Sequence, residues 1–214
     1  MVLLTLIGYI HICQKGEWKK IFQILIDAIH KSGLYENTYR IRLGIVNDLG
    51  ILIQDEILND PKFDIIYIGK SEEYERPTLL NLKKSAYSDR KYTFYYYLHT
   101  KGIKHFGSET EPYIMDWINL MLYWNIEKWK FAIQKLKTFD TYGCNDTGFH
   151  YSGNFWWAKR KHIFKLPNII EDYYTAPEDW IQIVRNNKFS AFNSGLEGMG
   201  HYTNLFPREK YINN

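Results

Sequence analysis

The chain opens with apolar and amphipathic segments that alternate as strands and helices do in α/β proteins. Four apolar or alternating runs predict strands, at residues 3–12, 39–46, 64–69 and 92–98. Apolar residues at helical spacing predict a helix in WKKIFQILIDAIHKSG, which Gly33 ends, and another that begins at Pro77. The order β-α-β-β-α-β indicates an α/β fold with an open, mostly parallel sheet flanked by helices.

The second half of the chain is helical at first and less regular later. The pattern predicts a long helix ending near Trp124, a second helix at 126–137, extended pieces at 140–144 and 153–158, and a helix from Pro177 to Arg185. A capping-box pattern, Ser108 to Glu111, marks the start of the long helix. The glycine-rich tail at 194–211 is expected to be a loop that either closes over a site as a lid or stays disordered.

The composition indicates one soluble globular domain spanning residues 1–214. Hydrophobic residues make up 45% and charged residues 24% of the 214 positions, which is ordinary for a folded domain. Aromatic residues reach 17%, and rings beyond the needs of a core often stack on bases or sugars. The net charge of +3, with no dense run of Lys or Arg, argues against a nucleic-acid-binding protein.

The opening run MVLLTLIGYIHI is apolar but too short to span a bilayer, and it lacks the basic start of a signal peptide. We therefore interpret it as the first strand and expect no transmembrane segment. Cys13 and Cys144 form neither a disulfide framework nor a metal motif, so reduced thiols in a cytoplasmic protein are expected.

Four motifs that would indicate other chemistries are absent from the sequence. There is no GxGxxG after the first predicted strand, and no GxxxxGK[ST], GxSxG or HExxH anywhere. Dinucleotide binding, P-loop hydrolysis, serine-hydrolase chemistry and zincin chemistry are therefore disfavoured.

Polar residues His99, Thr100, Lys101 and Gly102 end the fourth predicted strand, YTFYYYL. Ligands of open α/β sheets bind beyond the carboxyl ends of the strands. Lysine supplies a fixed charge, histidine a donor or a second charge when protonated, and glycine allows close approach of the backbone. The pattern favours a site for a polyanion such as a phosphate. A strand end with solvated polar residues is the alternative.

Two further stretches carry candidate chemistry. In HYSGNFWWAKR, the adjacent Trp156 and Trp157 must point to opposite faces of a strand, so one is expected in the core and one at a pocket, where an indole could stack on a sugar. In YTAPEDWIQ, Glu178 or Asp179 would serve as a base or as an acceptor for sugar hydroxyls. The alternatives are core packing of both indoles and a helix capping box formed by Thr175 and Glu178.

These stretches, in this order, resemble nucleotide-sugar glycosyltransferases of the GT-A fold. The matching strings are YIHICQKGEW, YYLHTKG, SGNFWWAK and PEDW, and together they span most of the chain. The similarity extends to the small glycosyltransferase domains that chlorella-type large DNA viruses use for capsid glycans, which would place the protein in the host cytoplasm. It implies a hexosyl- or deoxyhexosyl-transferase with a nucleotide-sugar-binding half at about 1–105 and an acceptor half at about 106–214.

The resemblance implies a donor site for a nucleoside-diphosphate sugar, with UDP favoured. The donor residues would be Ile12, Gln14, Lys15, Arg76, His99, Thr100, Lys101 and His201, with Arg208 also closing over the diphosphate. In that family the fourth strand usually ends in Asp-x-Asp, which binds a divalent metal. Here His99, Thr100 and Lys101 occupy those positions, so the cations would neutralise part of the diphosphate directly. Mn²⁺ or Mg²⁺ would then bind through the phosphates, His99 and His201, and no covalent cofactor is expected.

The resemblance also implies an acceptor site for a glycan or a glycoprotein. Glu178 and Asp179 match the acidic pair near the acceptor, and Asn154, Trp156 and Trp157 would contact sugar. Two alternatives stay open at this point. A non-catalytic sugar- or nucleotide-binding module would keep the aromatic pocket without needing Glu178 or Asp179, and an α/β methyltransferase would share the fold.

Overall fold

The computed structural model describes residues 4–185, 187–196 and 199–213. The strands are β1 Thr5–Cys13, β2 Thr38–Asn47, β3 Phe63–Lys70, β4 Thr93–His99, β5 Thr141–Gly143, β6 Trp156–Lys159 and β7 Lys188–Ser190. The α-helices are α1 Trp18–Lys31, α2 Leu34–Asn37, α3 Arg76–Ser85, α4 Glu111–Leu122, α5 Trp129–Lys135, α6 Arg160–Ile163, α7 Ala176–Asp179 and α8 Gly200–Thr203. A π-helical segment, Tyr123–Glu127, follows α4, and 3₁₀ turns lie at Glu56–Leu58, Ser71–Glu73, Ile103–His105, Trp180–Gln182 and Arg208–Lys210.

The seven strands form one sheet in the order β3-β2-β1-β4-β6-β5-β7. Strands β1 to β4 are parallel, β6 is antiparallel to both β4 and β5, and β7 is parallel to β5. At the carboxyl ends of the two central strands, His11 of β1 pairs with His99 of β4. The chain therefore brings the residues that follow β1 and β4 to the same edge of the sheet.

Aromatic residues fill the core on both faces of the sheet, because successive residues of a strand alternate in direction. Tyr96 of β4 and Trp157 of β6 pack in one hydrophobic cluster, with α1 and α4. Tyr97 and Trp156 pack in the other, with α3. Much of the aromatic surplus of the sequence is thus core rather than ligand-binding surface.

Helix ends differ from the sequence prediction in two places. The predicted capping box at Ser108 does not form, because the Glu111 carboxylate accepts a hydrogen bond from the Gly107 amide (2.7 Å) instead. The helix predicted to reach Arg185 ends earlier: α7 gives way to the turn Trp180–Gln182, where Trp180 and Ile181 are buried.

The tail is anchored to the core at several of its described residues; two of its residues, 197 and 198, lie outside the described part. Phe206 and Tyr211 are buried in the core. The Arg208 guanidinium binds both carboxylate oxygens of Glu127, at 2.7 and 2.5 Å. This bidentate ion pair engages the guanidinium away from the cleft, contrary to the predicted contact of Arg208 with a diphosphate. The tail does contribute Tyr202 to the lining of the cleft at the carboxyl ends of β1 and β4, and its role as a lid stays a prediction. Within the described residues, no helix is long and apolar enough to cross a membrane.

Candidate active site at the carboxyl ends of the central strands

A cleft of about 540 Å³ opens where β1 and β4 end, as the sequence predicted for the ligand. Its walls come from the ends of these strands, the turn Ser71–Glu73, the segment after β4 and the start of α7. The charged side chains that line it are Lys15, Glu72, Glu75, Lys101, Lys104 and Glu178. Three cations and three carboxylates thus share one cleft.

The backbone after β4 turns sharply and places Lys101 in the cleft. The Thr100 amide donates to the His11 carbonyl (3.0 Å), and the Thr100 hydroxyl accepts from the Cys13 amide (3.0 Å). Gly102 has φ of 71°, and a Cβ at this position would collide with Ile114. Only glycine adopts this conformation without strain, so Gly102 fixes the direction of the turn.

Lys101 is the buried cation of the cleft, with 7% of its surface exposed. Its Nζ lies 3.6 Å from Glu178 Oε1 and 4.3 Å from the centre of the Trp117 ring. A charge held between a carboxylate and an aromatic face in a desolvated site interacts more strongly than one in water. The sequence prediction that Lys101 faces the ligand site is supported by this placement.

His99 is neutral near pH 7 and does not add a second charge. Burial, and then the nearby Lys101 charge, lower the pKa of His99 to about 4. Its Nε2 donates to the Gly153 carbonyl (3.0 Å), so Nδ1 carries the lone pair, 3.6 Å from Glu75 Oε1. The expectation of a protonated His99 is therefore corrected.

Glu75 is one of the cleft residues that sequence reasoning missed, together with Tyr74, Lys104, Tyr174 and Tyr202. Its Oε2 accepts hydrogen bonds from the Tyr97 hydroxyl (2.6 Å) and the Asn154 amide (2.7 Å). The two donors hold the carboxylate rigid beside His99. Its position just before α3, whose start faces the carboxyl edge of the sheet, could have indicated Glu75. Glu72 and Glu73 lie in the same stretch, however, and the sequence does not distinguish the three.

Glu178 faces the cleft, and the predicted capping box with Thr175 does not form, because no side chain caps α7. Asp179 lies behind it and is not part of the cleft lining. The Asp179 carboxylate accepts from His150 Nδ1 (2.8 Å) and the Tyr173 hydroxyl (3.1 Å). His150 Nε2 in turn lies 3.6 Å from Glu178 Oε2. The direct role predicted for Asp179 is thus corrected to the orientation of His150.

The predicted sugar contacts of Asn154, Trp156 and Trp157 are wrong. All three side chains are fully buried. Trp156 stacks on Tyr97 at 5.0 Å and donates to Asn154 Oδ1, while Trp157 packs on Tyr96. Their stretch supports the cleft from behind, since the Asn154 amide donates to Glu75.

Residues at the end of β1 divide between core and cleft. Ile12 is fully buried in the core, so its predicted contact with a base is wrong. The Gln14 side chain donates to the Ile53 carbonyl and accepts from the Ile53 amide. Both of its polar groups are therefore bonded to the backbone and do not face the cleft. Lys15 alone of the three predicted residues lines the cleft, where it pairs with Asp48.

Arg76 and His201 also lie outside the cleft lining, contrary to prediction. Arg76 donates to the Glu171 and Tyr173 carbonyls and pairs with Asp172 (2.9 Å), so it holds the segment before α7. His201 is buried, stacked on Trp117 at 4.9 Å, with Nε2 2.9 Å from the Ser194 hydroxyl. His201 thus does not line the cleft that His99 lines, and a metal bound through both histidines stays a prediction.

The donor atoms of the cleft do not fit a metal ion held by protein side chains alone. His99 Nδ1 and Glu75 Oε1 are a facing pair, but across the described residues no three His, Cys, Asp or Glu side chains form a metal-binding group. The cleft also holds a cation, Lys101, which repels a metal ion. We therefore derive no chemical step through a metal, and a need for Mn²⁺ or Mg²⁺ stays a prediction.

We expect stability to fall as the pH drops below about 6.5, because three histidines are buried neutral. Burial lowers the pKa of His11, His99 and His201 to about 4 each. The unfolded chain then binds more protons between about pH 4 and pH 6.5, so this stability is present above pH 6.5 and lost toward pH 4. The slope is up to about 1.4 kcal/mol per pH unit for each histidine.

Urea denaturation at several pH values measures this slope. Replacing His201 by glutamine should remove one histidine's share of it. An unfolding free energy that stays constant from about pH 6.5 to pH 5 would contradict the buried neutral state of these side chains.

Comparison with known proteins shows the fold. HddC from Yersinia pseudotuberculosis has a similar structure, with a TM-score of 0.50 and 14% identity over 87% of this chain and 90% of that chain. The predicted α/β fold class is confirmed. The single domain, with its seven-stranded, mostly parallel sheet flanked by helices, is compatible with a GT-A-like Rossmann-type fold. Neither the protein-family models nor the curated proteins give a match to the chain.

Proposed function

We propose that this protein is a glycosyltransferase that moves a sugar from a nucleoside-diphosphate sugar to a glycan or glycoprotein acceptor. The observation that carries the proposal is the pair of buried Lys101 and partly exposed Glu178, 3.6 Å apart in a cleft beyond the strand ends. The cation suits the donor diphosphate, and the carboxylate suits the acceptor hydroxyl. UDP is the favoured nucleotide on the sequence resemblance.

The donor side of the cleft stabilises a leaving diphosphate. Lys15 and Lys104 line the same cleft as Lys101 and extend its positive side. Negative charge grows on the leaving phosphate in the transition state, so cations aimed at that oxygen stabilise the transition state more than the ground state. This is the role we assign to Lys101.

The acceptor side supplies a base. In an inverting reaction, the acceptor oxygen bonds to the anomeric carbon, its proton passes to Glu178, and the bond from that carbon to the phosphate oxygen breaks with its electron pair. His150 Nδ1 lies 2.8 Å from Asp179 Oδ1 and Nε2 lies 3.6 Å from Glu178 Oε2, so the imidazole is held beside the base. In a retaining reaction, Glu178 would instead orient the acceptor.

Protonation of Glu178 also changes the partner of Lys101. While Glu178 is charged, it shares the lysine cation. Once Glu178 has taken the proton, the full charge of Lys101 faces the leaving diphosphate, so proton transfer and leaving-group stabilisation reinforce each other.

Two exposed rings at the rim replace the tryptophans as candidates for sugar contact. Tyr74 and Tyr174 line the cleft, are 48% and 72% exposed, and meet edge to face at 6.1 Å. Tyr74 has φ of 51°, a strained conformation for a residue other than glycine, and such strain is often retained at binding sites. We assign this pair to stacking on the acceptor.

Replacing Tyr174 by alanine should raise the KM for the acceptor about 3- to 10-fold with little change in kcat, because stacking contributes roughly 0.5–1.5 kcal/mol. Steady-state kinetics with varied acceptor measure this. Tyr39→Ala is the matched control, since Tyr39 is 62% exposed on β2 and does not line the cleft. Equal KM values for Tyr174→Ala and wild type would remove the ring from the acceptor site.

Thermal-shift and calorimetric binding of UDP, GDP, dTDP and S-adenosylmethionine test the proposal. A nucleoside diphosphate is expected to bind, with UDP the tightest. If none of the diphosphates binds, with or without Mn²⁺, the glycosyltransferase proposal fails. Binding of S-adenosylmethionine alone would favour a methyltransferase.

A further inference from the structure

A second concave site lies at the opposite end of the sheet. A pocket of about 720 Å³ opens at the start of β4, the end of β6 and the end of α5. Its apolar lining consists of Tyr92, Phe94, Leu136 and Phe164. Since β4 runs from this pocket to the cleft, the two sites are separated by the length of that strand.

Six cationic side chains line the same pocket: Lys91, Lys137, Lys159, Arg160, Lys161 and Lys165. Lys159 pairs with Asp140 at 3.9 Å. The other five make no ion pair with a carboxylate anywhere in the described part of the chain. The pocket thus concentrates more positive charge than the net +3 of the whole chain. Four of the cations lie within residues 159–165, and Lys91 and Lys137 join them from elsewhere in the chain.

Asp140, the partner of Lys159, offsets only part of this positive charge. Burial lowers the pKa of Lys159, the Asp140 carboxylate raises it, and the charge of Lys161 lowers it further. The Arg160 Nε is buried, and it has no hydrogen-bond partner among the described residues. A buried donor without an acceptor is costly, and most such donors in folded proteins are satisfied by a ligand, a water or an ion. An anion at this rim would accept from Arg160 and offset the like charges.

An apolar pocket rimmed by cations is complementary to an anionic amphiphile. A nucleic-acid backbone would use the cations but leave the apolar lining unfilled. Around the rim, Tyr87, Tyr92 and Phe164 are 53%, 49% and 45% exposed. Aromatic side chains are favoured at membrane–water interfaces, and clustered lysines and arginines bind anionic lipid surfaces.

We propose that this face docks on an anionic phospholipid membrane, with the pocket receiving a lipid headgroup and the first part of its acyl chain. The strand β4, seven residues long, spans roughly 23 Å. A docked protein therefore holds its catalytic cleft away from the bilayer, where a glycan extending from the surface can reach it. The inference does not depend on the reaction carried out in the cleft.

Co-sedimentation with vesicles tests this inference without any measurement of turnover. The wild-type protein should bind vesicles of phosphatidylcholine with phosphatidylglycerol and not phosphatidylcholine alone. The double variant Lys161→Glu and Lys165→Glu should lower the partition coefficient at least about 10-fold. The matched control, Lys128→Glu with Lys130→Glu, makes the same charge change at the far end of α5 and should bind nearly as well as wild type.

A second variant separates lipid from other polyanions. Phe164→Ala leaves the charge unchanged and should weaken vesicle binding while leaving binding to heparin unaffected. Binding to heparin or RNA without binding to the anionic vesicles would overturn the membrane assignment. Equal vesicle binding by wild type and by the Lys161 and Lys165 double variant would overturn the site itself.

Discussion

Replacing Glu178 by glutamine is expected to lower the kcat of sugar transfer at least about 100-fold, within the range for a positioned acid or base. The amide keeps the shape of the side chain but cannot accept the proton of the acceptor hydroxyl. No capping bond depends on Glu178, but its carboxylate pairs with the buried Lys101, so the unfolding free energy should also fall. Steady-state transfer assays and urea denaturation measure the two effects.

Two controls give this result its meaning. Glu109→Gln removes a carboxylate from an exposed position outside the cleft and should leave kcat unchanged. Asp179→Asn weakens the orientation of His150 and should give a smaller loss than Glu178→Gln, since it leaves the base in place. Full turnover in Glu178→Gln would mean that this carboxylate has no part in the chemistry.

Replacing Lys101 by methionine is expected to weaken UDP binding by roughly 1.5–3 kcal/mol, about 10- to 150-fold in Kd, and to leave uridine binding unchanged. The charge-assisted contact to the diphosphate is lost, whereas the methionine chain still packs on Trp117. Isothermal titration calorimetry with UDP and uridine measures the difference. Lys104→Met removes the charge of an exposed lysine of the same cleft and should weaken UDP binding less than Lys101→Met does.

UDP binding in the presence of a chelator shows whether lysine or a metal ion supplies most of the positive charge at the diphosphate site. If Lys101 carries most of that charge, appreciable UDP binding should survive removal of divalent ions. If a metal is essential, the chelator should abolish binding, and His99→Ala should act in the same way while Lys101→Met does less. Equal UDP affinity in wild type and both variants, with Mn²⁺ and with chelator, would remove the strand end from the site.

The main strands and helices could be predicted because the hydrophobic pattern of each segment matches its burial in the folded protein. The continuous run of aromatic and apolar side chains in β4 predicts a strand that is buried on both faces, and the structure shows such a strand. The short strand β7, Lys188–Ser190, was not predicted, because three residues are too few to show the alternation of apolar and polar side chains that marks a strand. The loop expected at the tail proved to be anchored to the core, because the burial of Phe206 and Tyr211 depends on distant partners.

Only part of the candidate site could be predicted. Lys101 could be predicted because it lies just after β4, whose end is clear in the sequence. Glu178 could be predicted because it lies in the first turn of α7, whose start is clear as well. A sugar contact was predicted for Trp156 and Trp157 because indole rings often stack on sugars. Both rings are buried in the core, and the sequence alone does not show which aromatic rings are buried. Glu75 was missed because its partners, Tyr97 and Asn154, lie 22 and 79 residues away in the chain.

Release of the nucleoside diphosphate from intact nucleotide sugars tests the central claim most directly. The purified protein should be incubated with a panel of UDP-, GDP- and dTDP-sugars, and free diphosphate and free or transferred sugar should be measured by mass spectrometry. We expect the wild-type protein to consume at least one UDP-sugar, and Glu178→Gln to bind that donor but release at least about 100-fold less UDP. Tight binding with every donor sugar recovered intact would contradict the account and identify the protein as a non-catalytic binding module.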